Sequence, residues 1–266
     1  MAGNTSTPGA SMTGRILGVL GAFDDQHRRL VLSDIARRAD LPLSTAHRIV
    51  RELVLHGALA RTGDCYAIGR RVWELGLLAP VESTLRETVA PFLHDTYAAT
   101  RATVHLAVRD GCQVLYLERV MGRTSVPVIS TIGSTLPMHA TGVGKVLLAH
   151  APEQVRQEVL ANLSRITAYT ITQPRRLQEQ LARIRRDGYA TTVEEMTLGA
   201  CSLAVPIRHG GQVVAAIGVV VPSLKRDRGR LSAALQVAAE GISRQLGTQP
   251  EPPRIPAGAG SRDRVL

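Results

Sequence analysis

Residues 30–61 read LVLSDIARRADLPLSTAHRIVRELVLHGALAR, and the architecture of the N-terminal third follows from them. Ser33 is placed to cap a short helix, with Asp34 in its first turn and Ile35, Ala36 and Ala39 facing inward. Residues 40–43 form a break, because Pro42 stops any helix running into it. Ser44 is placed to cap the next helix, whose buried face is Ala46, Ile49, Val50, Leu53 and Val54. Gly57 ends that helix where a left-handed backbone is needed. Residues 58–61 and 65–68 read as two short strands around the turn Thr62-Gly63-Asp64. Two helices with a tight break, followed by a hairpin, describe a winged helix-turn-helix.

The second helix exposes Ser44, Thr45, His47, Arg48 and Arg51 opposite its apolar stripe. Short hydroxyls near the helix start and longer donors behind them suit the major groove of duplex DNA, where the helix dipole approaches phosphate and arginine reaches guanine edges. Ser33 joins this set, and Arg61 on the hairpin would lie along the backbone or minor groove. The structural alternative is a generic helix pair with solvated arginines.

The 266-residue chain carries 32 Lys plus Arg against 22 Asp plus Glu, a formal net charge of +10. That charge is the footprint of a nucleic-acid binder. Only Lys145 and Lys225 are lysines, and the alternative source of the arginine bias is genome composition; the net charge is physical whatever its origin. Aromatic residues make up 3% of the chain, too few for base-stacking on single strands, which favours duplex DNA. No apolar run is long enough for a membrane span, and MAGNTSTPGA lacks the features of a signal peptide, so a cytoplasmic protein without membrane partners is expected. Cys65, Cys112 and Cys201 are too far apart for a zinc ribbon or a disulfide framework and read as packed thiols.

The expected organisation is a frayed segment 1–11, a winged helix-turn-helix over 12–69 that opens with an apolar helix, a connector over 70–82, a second domain over 83–247 and a disordered tail 248–266. The connector, with Val72, Trp73, Leu75, Leu77 and Leu78, has more apolar surface than one lone helix needs and reads as a dimer contact. In the second domain a helix over 83–99 precedes alternating strands at 103–108 and 113–120, a short strand at 126–129, and helices at 139–150, 152–160 and 174–187. Strands at 189–193, 201–207 and 212–221 and a closing helix at 230–246 complete it. An antiparallel sheet with helices on its faces makes an α+β, sensor-like domain.

These residues resemble the IclR family of bacterial transcriptional regulators over most of the chain, from about Met12 to Gly247. Beside the helix-turn-helix stretch, TVHLAVRDGCQVLYLERV (103–120) resembles the family's first effector-domain hairpin. STIGSTLPMHATGVGKVLLA (130–149) is close to a G-S-x-L-P-x-H-A-T-x-x-G-K-x-L-L-A pattern, and EEMTLGACSLAVPI (194–207) resembles a further motif. The resemblance implies a GAF-like effector domain, a DNA-binding homodimer or homotetramer, and control by a small molecule. Two departures bear on the effector. The last strand has Gly218 and Val220 where relatives often carry serines, and Thr192 stands where an Asp often precedes the Glu pair. A less polar pocket is expected, suited to an organic acid with an apolar or aromatic body.

For the effector itself, a helix beginning near His139, Ala140, Thr141 and Gly142 would offer backbone N–H groups to a carboxylate. Ser202 supplies a hydroxyl from the facing strand, Glu195 an acceptor for a ligand hydroxyl, and Gly218 and Val220 the apolar wall. Each polar member has a structural alternative: His139 as a hydrogen-bonded structural histidine, Ser202 as core, Glu195 as a cap or an ion-pair partner.

Enzyme motifs fail in turn. TGVGKV lacks the first Gly and the final Ser or Thr of a phosphate-binding loop, with His139 and Val146 at those positions. There is no nucleophile elbow, no HExxH, no dinucleotide fingerprint, and no His/Cys clustering at metal spacing, so neither enzyme, metal nor cofactor is expected. The expectation is a transcriptional regulator that binds double-stranded operator DNA under control of a small-molecule effector. The alternative is an effector-independent repressor whose second domain serves only assembly.

Overall fold

A computed structural model describes residues 11–24, 26–79, 82–122, 126 and 128–248. The chain divides into two units, Met1–Val81 and Glu82–Leu266. The first ten residues and the last eighteen of the sequence, expected as frayed ends, lie outside the described residues.

In the first unit, α1 (Met12–Leu20) is capped by Ser11, whose side chain accepts from Gly14 N at 3.1 Å. A two-residue strand β1 (Leu30–Val31) runs directly into α2 (Leu32–Arg38), then α3 (Leu43–Leu55), β2 (Leu59–Thr62), β3 (Cys65–Ile68) and α4 (Arg70–Leu77). The strands pair antiparallel in the order β1-β3-β2. Val19, Ala22, Leu30, Ile35, Ile49, Val50, Leu59 and Tyr66 form the core.

The expected caps are displaced. Ser33 is inside α2, because β1 delivers the chain in an extended conformation at Val31, which takes the cap position without a side-chain bond. Ser44 likewise lies one residue inside α3. Pro42, at φ −55°, holds the cap geometry, and its carbonyl accepts Ala46 N at 2.9 Å. The turn between the helices passes through Asp40 at φ 52°, a left-handed position that Asp tolerates better than most residues. After α3, Gly57 takes φ 72° and ends the helix. Gly69 sits so close to this turn that a Cβ there would stand 2.2 Å from Gly57 O. Gly69 N donates to Ala58 O at 2.8 Å and Arg71 N to Gly57 O at 3.2 Å, so α4 begins clamped to the end of α3.

The second unit holds α5 (Ser83–Thr100), β4 (Thr103–Asp110), β5 (Gln113–Val120), β6 (Thr135–Pro137), a 3-10 turn (Met138–Ala140), α6 (Gly142–Ala149), α7 (Glu153–Ala161), α8 (Pro174–Asp187), β7 (Ala190–Val193), β8 (Cys201–His209), β9 (Gln212–Val221) and α9 (Arg228–Gly247). All six strands are antiparallel, in the order β6-β5-β4-β9-β8-β7. Residues 126, 128 and 129 form no strand. The sheet edge is β6 instead, paired to Gln113, Val114 and Leu115.

Strand alternation decides what each sheet face carries. Val104, Leu106, Leu203, Val205, Ile217 and Val219 face a core shared with Leu93, Leu235 and Ile242 of α5 and α9. The opposite face presents small groups, Ala107, Ala204, Ala216 and Gly218, and α6 and α8 pack there through Val143, Val146, Leu147, Leu177 and Leu181. Smallness permits close approach: a Cβ at Gly218 would lie 2.9 Å from Val143 Cγ1. The chain is thus α+β, a helix-turn-helix with a small sheet followed by a GAF-like domain on a six-stranded antiparallel sheet.

Candidate DNA-reading helix and effector cleft

On α3 the buried residues Ala46, Ile49 and Val50 fix which side faces out. Ser44, His47, Arg48 and Arg51 are all exposed, at the three- and four-residue spacings that align them in one stripe, and Thr45 is half-buried beside them. Arg51 lies 3.6 Å from the Glu52 carboxylate. Ser33 is exposed on α2. Arg61 is exposed but tethered: its Nε donates to Gly63 O at 2.9 Å and its guanidinium lies 5.8 Å from the Tyr66 ring centroid. The surface thus carries cations on a rigid helix, with a further one at the wing.

In the second unit the small-residue sheet face and the start of α6 leave a narrow cleft of about 50 Å³ that opens to solvent. Ala140, Thr141, Gly142, Ser202, Gly218 and Val220 line it. Thr141 caps α6, its side chain accepting from Gly144 N at 3.2 Å, so the helix starts three residues later than expected and opens onto the cleft. Ser202 Oγ and Thr192 Oγ1 share a hydrogen bond of 2.6 Å. A Cβ at Gly142 would approach Ser202 Oγ to 2.5 Å, so the glycine keeps the helix start open toward this hydroxyl pair.

His139 and Glu195 are not on the cleft wall. His139 is buried and its Nε2 is bonded to Ser164 O at 2.9 Å; burial, aided by the Lys145 charge, lowers its pKa. Glu195 is buried against Lys145, whose Nζ reaches both carboxylate oxygens at 2.6 Å and Gln180 Oε1 at 2.8 Å. Desolvation pushes the Lys145 pKa down and that of Glu195 up, while their mutual attraction opposes both shifts. The pair fixes the loop 194–200, where Glu194 takes φ 55° and its Oε1 accepts Gly199 N at 2.6 Å. That loop presents Met196, Thr197 and Ala200 to the cleft.

Residues that the sequence reading passed over close the other end: His105, Tyr116, Val128, Ile129, Ser130 and Leu136. His105 Nε2 and Ser130 Oγ are 2.9 Å apart, and the imidazole meets the Tyr116 ring edge-on at 5.2 Å. Burial, with the nearby Arg119 charge, lowers the His105 pKa to about 3, so the ring is neutral at neutral pH. Burial raises the Tyr116 pKa, opposed by a hydrogen bond to Thr141. Cys201 is also on the wall, its thiol pKa raised by burial. No Asp, Glu, Lys or Arg lines the cleft among the described residues.

The chain matches the model of the IclR helix-turn-helix domain over residues 13–63 and that of the bacterial transcriptional regulator IclR C-terminal domain over residues 80–244. It is 31% identical to the HTH-type transcriptional regulator XynR of Escherichia coli, over 88% of this chain and 96% of that protein. It is 32% identical to the glycerol operon regulatory protein of Streptomyces coelicolor, over 88% and 95%. Among solved structures, an IclR homolog from Microbacterium hydrocarbonoxydans complexed with 4-hydroxybenzoate superposes with a TM-score of 0.84 at 37% identity, covering 90% of this chain and all of that one. The IclR of Thermotoga maritima superposes with a TM-score of 0.73 at 30% identity, covering 88% and 98%.

Proposed function

The chain belongs to the IclR family of bacterial transcriptional regulators and is a DNA-binding regulator, not an enzyme; from that premise we propose that an organic acid with an aromatic body controls its hold on operator DNA. The observation that carries this reading is the cleft, which among the described residues has apolar walls, no charged side chain, and hydroxyls and a helix start on its lining. A carboxylate there is held by Ser202, Thr192 and the backbone N–H groups entering α6, and a ring body lies against Val143, Val220 and Leu136. A solved relative is complexed with 4-hydroxybenzoate, an acid of this class.

On the DNA side, α3 enters the major groove with Ser44, Thr45 and His47 near the backbone and Arg48 and Arg51 toward base edges, while Ser33 and Arg61 lie along phosphates. α4 leaves Trp73, Leu75, Leu77 and Leu78 exposed, an apolar strip suited to a second copy of the chain in a homodimer or a homotetramer. Two copies place two α3 helices on successive half-sites, and the effector acts by biasing their spacing.

The test is fluorescence anisotropy of the full chain on its own upstream intergenic DNA against a scrambled control, with salt titrated and then a panel of aromatic and short aliphatic acids added. Preference for the upstream fragment, affinity falling steeply with salt, and a shift caused by an aromatic acid are expected. Operator affinity indifferent to every acid would return the second unit to a role in assembly alone.

A further inference from the structure

The cleft has a second polar end that a carboxylate alone does not use. His105 and Ser130 are both buried, with 3% and 4% of their surface exposed, yet both line the cleft. They come from different places: His105 from the middle of β4, Ser130 from the segment between β5 and β6. Ser130 is fixed from two directions, its hydroxyl on His105 Nε2 at 2.9 Å and its carbonyl accepting from Arg119 Nη1 at 2.6 Å. A packed apolar wall would have served to close a cleft; a neutral imidazole orienting a buried serine hydroxyl is a costlier construction without a ligand group to meet.

Sheet register sets the distance between the two ends. His105 pairs with Gly218, which pairs with Ala204; Ser202, two residues before Ala204, lies on the same face. The two residues are therefore two strands apart and two positions along. At about 4.8 Å between strands and about 3.4 Å per residue, the diagonal is about 12 Å between parallel side-chain origins. A benzene ring with oxygens on opposite ends spans about 6–7 Å, so with a hydrogen bond of about 2.8 Å at each end it is comparable in length to that diagonal, at whose far end Ser130 Oγ stands 2.9 Å from His105 Nε2. A two- or three-carbon acid reaches one end only. A hydroxyl ortho to the carboxylate stays at the carboxylate end.

We propose that Ser130, positioned by His105, selects the effector by reading a neutral hydroxyl para to its carboxylate. The hydroxyl of the ligand donates to Ser130 Oγ, whose own proton goes to His105 Nε2. A neutral His105 suits this task, since an imidazolium would leave Ser130 without an acceptor. This inference rests on the effector reading above and adds which aromatic acid is preferred.

The test is isothermal titration of the full chain with benzoate, 2-hydroxybenzoate and 4-hydroxybenzoate. The native chain is expected to favour the para-hydroxy acid over benzoate by about threefold to tenfold, the worth of one well-formed hydrogen bond in a buried site. Ser130→Ala is expected to bring that ratio close to one while benzoate affinity stays within a few-fold. His105→Phe is expected to do the same, and His105→Gln, which keeps an acceptor for Ser130, to restore part of the preference. Equal binding of benzoate and 4-hydroxybenzoate by the native chain, or a preference that survives Ser130→Ala, overturns the assignment and leaves the effector reading standing. If none of the three acids binds, the aromatic-effector reading fails, and this assignment with it.

Discussion

Lys145 and Glu195 offer a decisive perturbation, because both charges lie in the interior and each is the other's main counter-ion. Lys145 is fully buried and Glu195 nearly so, with Nζ 2.6 Å from both carboxylate oxygens. Glu195→Gln keeps the shape and removes the charge, which leaves an ammonium in the core with amide oxygens alone. Breaking a buried pair in this way costs about 3–5 kcal/mol. For a unit of this size each kcal/mol lowers Tm by about 2–4 °C, so a fall of about 6–20 °C is expected. Lys145→Met should cost a similar amount by stranding the carboxylate. The double variant Lys145→Met/Glu195→Leu strands no charge, though Gln180 Oε1 and the Ile171 N–H lose a partner, and is expected to recover most of the loss, since apolar replacements of buried pairs are often neutral. The assay is denaturant unfolding of the full chain in a double-mutant cycle, with effector titration in parallel. The single variants should also bind effector more weakly, because the loop anchored by Glu195 presents Met196 and Thr197 to the cleft. Single variants costing under about 1 kcal/mol, or a double variant costing as much as both singles together, would refute the reasoning.

Further outcomes concern DNA reading, packing and pH. Arg48→Ala is expected to weaken operator binding about tenfold to hundredfold with effector affinity intact, whereas Arg61→Ala should mainly flatten the salt dependence by about one phosphate; anisotropy over a salt series separates the two. Gly142→Ala places a methyl 2.5 Å from Ser202 Oγ and should abolish effector response with little loss of fold, read by titration beside circular dichroism. Gly144→Ala meets backbone instead, at 2.5 Å from Met138 O, and should destabilise by about 1–3 kcal/mol in denaturant unfolding. His105 has a pKa of about 3 when folded against 6.5 in the open chain. The unfolded chain therefore binds the extra proton first, and stability falls as pH drops from 6.5 toward 3, by about 1.4 kcal/mol per unit. Unfolding at pH 7 and pH 5 should show a loss about 2 kcal/mol larger in the native chain than in His105→Gln.

Much of the helix-turn-helix is legible because its signals are local: a 3.6-residue apolar period in α3, Pro42 before it, Gly57 after it, and Gly63 at a hairpin tip. The caps slipped by a residue or so because Val31 and Pro42 impose the extended geometry through the backbone, which outranks a nearby serine hydroxyl. In the cleft, Thr141, Gly142, Ser202 and Gly218 stand in motif stretches where small or hydroxylic residues break an apolar run. His105 gave no such signal. It sits inside TVHLAV as one polar residue in an ordinary alternation, and only the pairing of β4 with β9 brings it beside Gly218. Ser130 and Glu195 depend on partners 25 and 50 residues away, a separation that periodicity does not report. β6, three residues long, is too short to show a period at all.

The clamp of Gly69 on Gly57 has a mechanical consequence. Two backbones in direct contact, joined by hydrogen bonds on both sides, leave no room for a bend where α4 meets the end of α3. A torque applied along α4 is therefore passed on to α3, as a handle turns the blade fixed to it. A bulkier residue at position 69 would loosen that joint, and the predicted phenotype is a regulator that still folds, binds DNA and takes up effector, yet no longer conveys one event to the other.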